Sequence, residues 1–331
     1  MKKRTLFIAL VLFLIGHVQA QKIYESYTRV NDSLRYGSGE RQVFPCGSKG
    51  YTLVLPDGKD EIKGTVLVLN DDRINLQDTS RKQEGHIHEQ ANARGYAALY
   101  LSTGIPVDLY FSEQSLQCVD SLLQAVFTQY RLPNKNVFLL GAMVSGHRAL
   151  KYIEHCKKGA SVFRPAIKGV VLSESAIDWV RQWYECQKQV RDHLTETGFF
   201  EGNFITYLFA ANMHDTPVTN MQKYLDFSPY SYFDTKMEKP RLYKDLAIRA
   251  YTYADIRYWF SAQGKGVYDS NYPDMSGFIN EQKLVGNTKA SLVVFSSERT
   301  SPLQNDMRRQ ASTWDLVDKN ELLSWITAQS E

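Results

Sequence analysis

Apolar, β-rich runs that alternate with helical periodicity are what most constrains this chain. Residues 51–55 are a short apolar run, closed by Pro56-Asp57-Gly58, a strong turn signal. Residues 64–69 and 96–101 read as two further strands, and residues 86–94 between them as a helix that stops at Gly95. Leu116, Val119, Leu122, Leu123, Val126 and Phe127 recur at three- and four-residue steps, which predicts a helix with one apolar face. It closes through Arg131-Leu132-Pro133-Asn134 into a strand over residues 136–140. Ala149, Ile153 and Cys156 mark the next helix and residues 167–172 the next strand. Strands follow at 247–251 and 291–295, with a last helix near 320–327. Apolar strands separated by helices imply an α/β fold, its mainly parallel sheet covered on both faces.

That rhythm breaks down between Glu174 and Lys244, where Trp179, Trp183, Tyr184, Phe199, Phe200, Phe204, Tyr207 and Phe209 are interspersed with long polar residues. Residues of about 175–244 therefore read as a helical lid insertion over the strand ends. Most of its aromatics are expected to pack it onto the sheet. The rest would line a cleft for an apolar or sugar-like ligand, because pockets favour aromatic walls with few polar groups. No repeat or low-complexity linker divides the chain, so residues 21–331 are expected to form one domain.

Met1-Lys2-Lys3-Arg4, an apolar run from Leu6 to Ile15 and Val18-Gln19-Ala20 together read as a secretory signal peptide over residues 1–20. The run is short of the roughly 20 residues that cross a bilayer, and no later segment approaches that length. The expected location is bacterial and exported, either periplasmic or extracellular. Removing Lys2, Lys3 and Arg4 turns 39 Lys+Arg against 36 Asp+Glu into 36 against 36. A neutral mature chain gives no electrostatic reason to bind nucleic acid, and no nucleic-acid motif is present. The expected partner is a small molecule or an envelope protein. Cys46, Cys118, Cys156 and Cys186 all lie in the exported part, where four cysteines allow three complete pairings, and buried free thiols are as consistent with the sequence as bridges. None has the close spacing of a zinc site.

Gly141-Ala142-Met143-Val144-Ser145-Gly146, between a strand and a helix starting near His147, resembles the nucleophile elbow of α/β hydrolases. That elbow is Gly-x-Ser-x-Gly, its glycines permitting a sharp turn that lifts the serine above the sheet. Here Met143 takes the nucleophile position, Ser145 the last glycine, and Gly146 an additional glycine that many members carry. The resemblance extends to the strands at 51–55 and 64–69, to residues 131–133, to 251–255 and to 312–318. It implies an α/β-hydrolase fold similar to secreted bacterial esterase- and peptidase-like members. In those members the last segment commonly carries the catalytic histidine. Ser312 takes that position here, and no histidine follows His214. For the acid, Asp255 and Asp269 are the candidates.

A thioether cannot be deprotonated, and acyl transfer needs an activated oxygen or sulfur, a base and an orienting acid. The sequence therefore predicts a non-catalytic pseudo-hydrolase that binds a ligand or protein through the former active-site cleft. The alternative is a rearranged esterase or peptidase using Ser145, with His147 or His214 and Asp255. Ser145 falls in the first helical turn, where serine hydroxyls tend to bond the backbone, and His147 is expected to pack or cap locally. His214-Asp215 stands in the insertion as a candidate to reach the pocket from above. Asn70-Asp71-Asp72 follows the strand whose loop usually supplies an oxyanion-hole amide, and loop capping is its simpler role. His86-Ile87-His88-Glu89 suggests a metal, but residues two apart on a helix face different ways and no third ligand accompanies them. A solvated helix surface is expected there, and no metal or cofactor is implied.

Overall fold

The computed structural model describes residues 22–30, 33–35, 43–45, 47–58, 61–70, 72–76, 86–104, 109–296 and 313–330. The expected signal peptide, Cys46, Asp71 and Ser312 lie outside them. The strands are β1 Lys22–Arg29, β2 Ser33–Arg35, β3 Val43–Pro45, β4 Ser48–Leu55, β5 Gly64–Asn70, β6 Tyr96–Thr103, β7 Val137–Ala142, β8 Ile167–Ser173, β9 Ala247–Tyr253 and β10 Ala290–Phe295. Eight of them form one sheet in the order β1-β4-β6-β5-β7-β8-β9-β10, while β2 and β3 make a separate antiparallel ribbon. β1 and β4 run antiparallel to their neighbours, and from β6 through β10 the pairing is parallel.

Side-chain alternation divides the sheet into two buried faces. Leu67, Leu69, Leu99, Leu101 and Leu139 point to one, and Val66, Val68, Ala98, Tyr100, Phe138 and Leu140 to the other. Parallel strands need helical crossovers, which supply the cover. On the first face lie α2 Glu113–Gln129 and α3 Val144–Lys157, together with α9 Tyr272–Leu284. The second is covered by α1 His88–Ala93, α8 Ile256–Gln263 through Trp259, α10 Thr313–Leu316 and α11 Lys319–Ser330. The α2 stripe predicted from Leu116, Val119, Leu123, Val126 and Phe127 is buried, and Ser112 caps its first turn by accepting from the Ser115 N–H.

Between β8 and β9 stand four helices, α4 Trp179–Asp192, α5 Glu196–Met213, α6 Met221–Phe227 and α7 Glu238–Leu242. The expected packing of its aromatics onto the sheet holds for Tyr230 and Tyr243, whereas Trp179, Phe204, Phe209 and Tyr224 form a separate core with Leu208 and Met213, and Tyr184, Phe200, Tyr232 and Phe233 are exposed. A carboxylate from α9 fixes its entry. Asp274 accepts from the backbone of Ile177 and Asp178, each at 3.0 Å, and binds the Arg181 guanidinium. Asp178 in turn caps α4, at 3.0 Å from the Val180 N–H.

The structure departs from the sequence reading in two places, and it decides the cysteine question that the sequence left open. β1 was not anticipated, because Lys22, Glu25 and Arg29 break its apolar content and most of the strand is exposed. The segment read as helix over residues 86–94 begins only at His88, which is buried rather than on a solvated face. His86 and His88 stand edge-to-face at 5.7 Å, both beside Tyr100, and burial lowers the His88 pKa. Cys118, Cys156 and Cys186 are free thiols, so no disulfide forms among the described residues.

Candidate functional site

The end of β7 turns into α3 at Met143, whose φ of 52° and ψ of −123° lie in a region that L-residues rarely occupy. Two glycines make this turn possible. A Cβ on Gly141 would meet the Gly146 backbone at 2.4 Å, and one on Gly146 would meet Ser175 Oγ at 1.9 Å. The Met143 N–H donates to the Ser173 carbonyl at 2.9 Å, tying the apex to the end of β8. The side chain is 43% exposed, so apolar burial does not offset the strain. The backbone thus makes a strained strand-to-helix turn with a thioether at its apex.

A cavity of about 690 Å³ opens at this apex. Met143, Glu174, Trp179, Tyr253, Trp259 and Trp314 line it, together with polar groups of α4 and α5. Two lysines on those walls are neutralised locally. Lys188 binds Asp269 at 2.9 Å and Lys265 binds Glu185 at 2.8 Å. No histidine lines this cavity among the described residues.

Glu174, which sequence reasoning missed, is a titratable group of this cavity beside Met143. It follows β8 directly, is held at φ 45° and is buried. Oε1 accepts from the Thr252 hydroxyl at 2.6 Å and from the Tyr253 N–H. Burial outweighs those bonds and pushes its pKa from the ordinary 4.5 up to about 7. Near neutrality it can donate or accept a hydrogen bond. A charged residue immediately after an apolar strand was the available signal, and Ser173-Glu174-Ser175 gave no motif with which to rank it.

The candidates drawn from sequence do not converge on Met143. His147 is wholly buried beneath the elbow, with Nε2 3.0 Å from the Leu109 carbonyl and Nδ1 accepting from Trp179 Nε1 at 2.9 Å. Both ring nitrogens are committed, which fixes a neutral Nε2–H tautomer. Burial, reinforced by nearby Lys151, holds its pKa well below the ordinary range. Ser145 is half-buried in the first turn of α3. Asp269 lines the cavity, engaged by Lys188, whereas Asp255 is not among the lining residues and accepts from the Arg257 N–H at 3.0 Å. His214 does not reach this cavity. It caps the C-terminal end of α5 and lines a separate groove, while Asp215 pairs with Lys223. Asp72 accepts from the backbone of Ser48 and Arg73 at 2.5 and 2.7 Å, which makes it a loop cap. No group of three or more His, Cys, Asp or Glu among the described residues is placed to hold a metal.

Solved structures with the same architecture include esterases and a peptidase. Esterase B of Lactobacillus rhamnosis, in an inhibited form, aligns at a TM-score of 0.54 and 11% identity, over 99% of this chain and 93% of its own. A fungal esterase of Rhizomucor miehei aligns at 0.50 and 11%, over 98% and 90%. The acylaminoacyl peptidase of Pyrococcus horikoshii aligns at 0.50 and 10%, over 96% of this chain but only 42% of its own. The sheet order, the elbow and these alignments define an α/β-hydrolase fold. No protein-family model and no curated protein matches the sequence.

Proposed function

We propose that this chain is an exported ligand-binding protein that has kept the hydrolase cleft without its acyl-transfer chemistry. The observation that carries this reading is Met143 at the turn, whose side chain has no hydroxyl or thiol to activate, with no histidine along the cavity among the described residues. His147 adds support, because its committed nitrogens cannot take a proton from Ser145. The ligand is a polar small molecule. It would be held by Glu174 and the mixed charges of α4 and α5, with Trp179, Trp259 and Trp314 offering apolar faces.

A fluorophosphonate probe and short-chain esters test the reading directly. Wild-type protein is expected to show neither labelling nor turnover. Met143→Ser, which restores a hydroxyl but no imidazole, should remain at background as well. Robust labelling of any serine in the wild type would overturn the proposal.

The esterase neighbours favour a second reading, ester or peptide hydrolysis through Ser145 in a rearranged site. Ser145→Ala would then abolish turnover of a substrate found by screening, whereas unchanged turnover would reject Ser145 as the nucleophile.

A further inference from the structure

The walls of the Met143 cavity carry more negative charge than positive. Glu174, Glu185, Asp192, Glu201 and Asp269 line it, against Lys188 and Lys265. Both ammoniums are already engaged. Lys188 lies between Asp269 at 2.9 Å and Asp192 at 3.5 Å, and Lys265 binds Glu185 at 2.8 Å. Arg181 and Arg191, which do not line the cavity, leave the balance negative. Arg181 bridges Glu185 and Asp274, and Arg191 pairs with Asp192. With these two and Asp274 included, six carboxylates meet four cations. Glu201 is exposed to water, which leaves Glu174 as the enclosed carboxyl of the excess.

Glu174 is 6% exposed, and it lines the cavity with that remaining surface. Its partners are neutral donors. The Thr252 hydroxyl and the Tyr253 N–H both bond Oε1 and neither bonds Oε2, while the Thr313 hydroxyl stands close by on the same wall. The charge of Asp274 bears on the carboxyl and repels it. A buried carboxylate without a counter-ion is costly, and a cation arriving through the cavity would remove that cost. Apolar surface lies on the same walls. Met143 is 43% exposed, and the half-buried Trp259 is tied to the Glu174 side by its Nε1 bond to the Tyr253 carbonyl at 3.1 Å. A carboxylate beside an indole and a thioether suits a cation with an apolar body.

We infer that the ligand of this cavity is a primary ammonium carrying an apolar or aromatic group, with Glu174 as its counter-ion. The ammonium would donate to Glu174 Oε2, a charge-assisted bond of the stronger kind. The apolar body would lie along Met143 and Trp259. A cavity of about 690 Å³ accommodates a single-ring amine. This inference rests on the reading of the Met143 cavity as a binding cleft, and it names the ligand class.

Isothermal titration with benzylammonium tests it at about pH 8, where Glu174 has mostly shed its proton. Benzyl alcohol is the uncharged counterpart. Glu174→Gln keeps an acceptor for Thr252 and Tyr253 without the charge, and Met143→Lys sets a competing ammonium at an exposed position, so both variants are expected to fold. Glu238→Gln, exposed and off the cavity wall, controls for loss of charge alone. The expected result is saturable binding that weakens about tenfold or more in Glu174→Gln and in Met143→Lys, and is unchanged in Glu238→Gln. Absence of saturable binding, undiminished binding in either cavity variant, or equal binding of benzyl alcohol would each overturn the inference. Fluorophosphonate treatment of the same wild-type sample separates the two levels of the claim. A labelled serine overturns the non-catalytic reading whatever the amine does, whereas unlabelled protein that fails to bind the amine overturns the ligand class alone.

Discussion

His147 and His155 sit on the same helix, both fully enclosed, and they are opposites. His147 has a partner at each nitrogen and joins three elements, with Leu109 on one side and Trp179 of the insertion on the other. His155 stacks on Tyr152, and its enclosed Nε2 has no hydrogen-bond partner among the described residues. Burial alone therefore says little about what a histidine does. The first ring is a joint, because removing it strands a donor and an acceptor. The second is an open valence, because removing it strands nothing in the described structure except an exposed glutamate.

Breaking the first member of the pair should have the largest effect. His147→Ala leaves the Trp179 N–H and the Leu109 carbonyl without their partner and opens a cavity beside Phe227, at a cost of about 3 kcal/mol in urea unfolding. A loss below about 1 kcal/mol would mean that the joint is not structural.

Glu174 sharpens the comparison as a buried titratable group that is bonded and yet proton-hungry. Its pKa of about 7 in the folded protein lies above the ordinary 4.5, so the folded state holds the proton across that interval. Its stabilising contribution is complete below pH 4.5 and is lost as pH rises through 7. Glu174→Gln should thus be more stable than wild type by on the order of 2 kcal/mol at about pH 8, and by much less at about pH 4. Asp178, pushed up to about 6 by burial and by Asp274, retains a smaller decline of the same sign in the variant. Paired urea titrations at the two pH values would check the sign.

His155→Phe should be neutral or stabilising by about 1 kcal/mol, since an apolar ring removes an unpaired buried nitrogen. A loss as large as that of His147→Ala would erase the distinction between the two rings. Smallest is Met143→Gly, expected to stabilise by up to about 1 kcal/mol by relieving the backbone strain at φ 52°. Thermal or urea midpoints resolve it against a control at Val162, exposed and away from the turn.

The sheet was legible because burial on both faces demands unbroken apolar runs, and residues 66–69, 96–101 and 169–172 met that demand. β1 was not, since an antiparallel edge strand with Lys22, Glu25 and Arg29 has no such requirement. The tight turn after β7 could be read from Gly141 and Gly146, where backbone or side-chain approach excludes any Cβ. Glu174 could not, because its environment is assembled from Thr252 and Tyr253, far along the chain. Nor could the two histidines of α3 be told apart. Their contrast depends on Trp179 meeting one ring and no described partner reaching Nε2 of the other, and helical spacing encodes neither.

Trp179 carries a consequence for experiment. The chain has five tryptophans, and three of them, Trp179, Trp259 and Trp314, line the Met143 cavity. Trp179 also shares its indole N–H with a buried imidazole and packs near Phe227, which borders the separate groove that His214 lines. The protein thus carries its own optical reporter. Occupancy of the Met143 cavity should register in its native emission, with no label attached, and one indole is placed to sense both hollows at once.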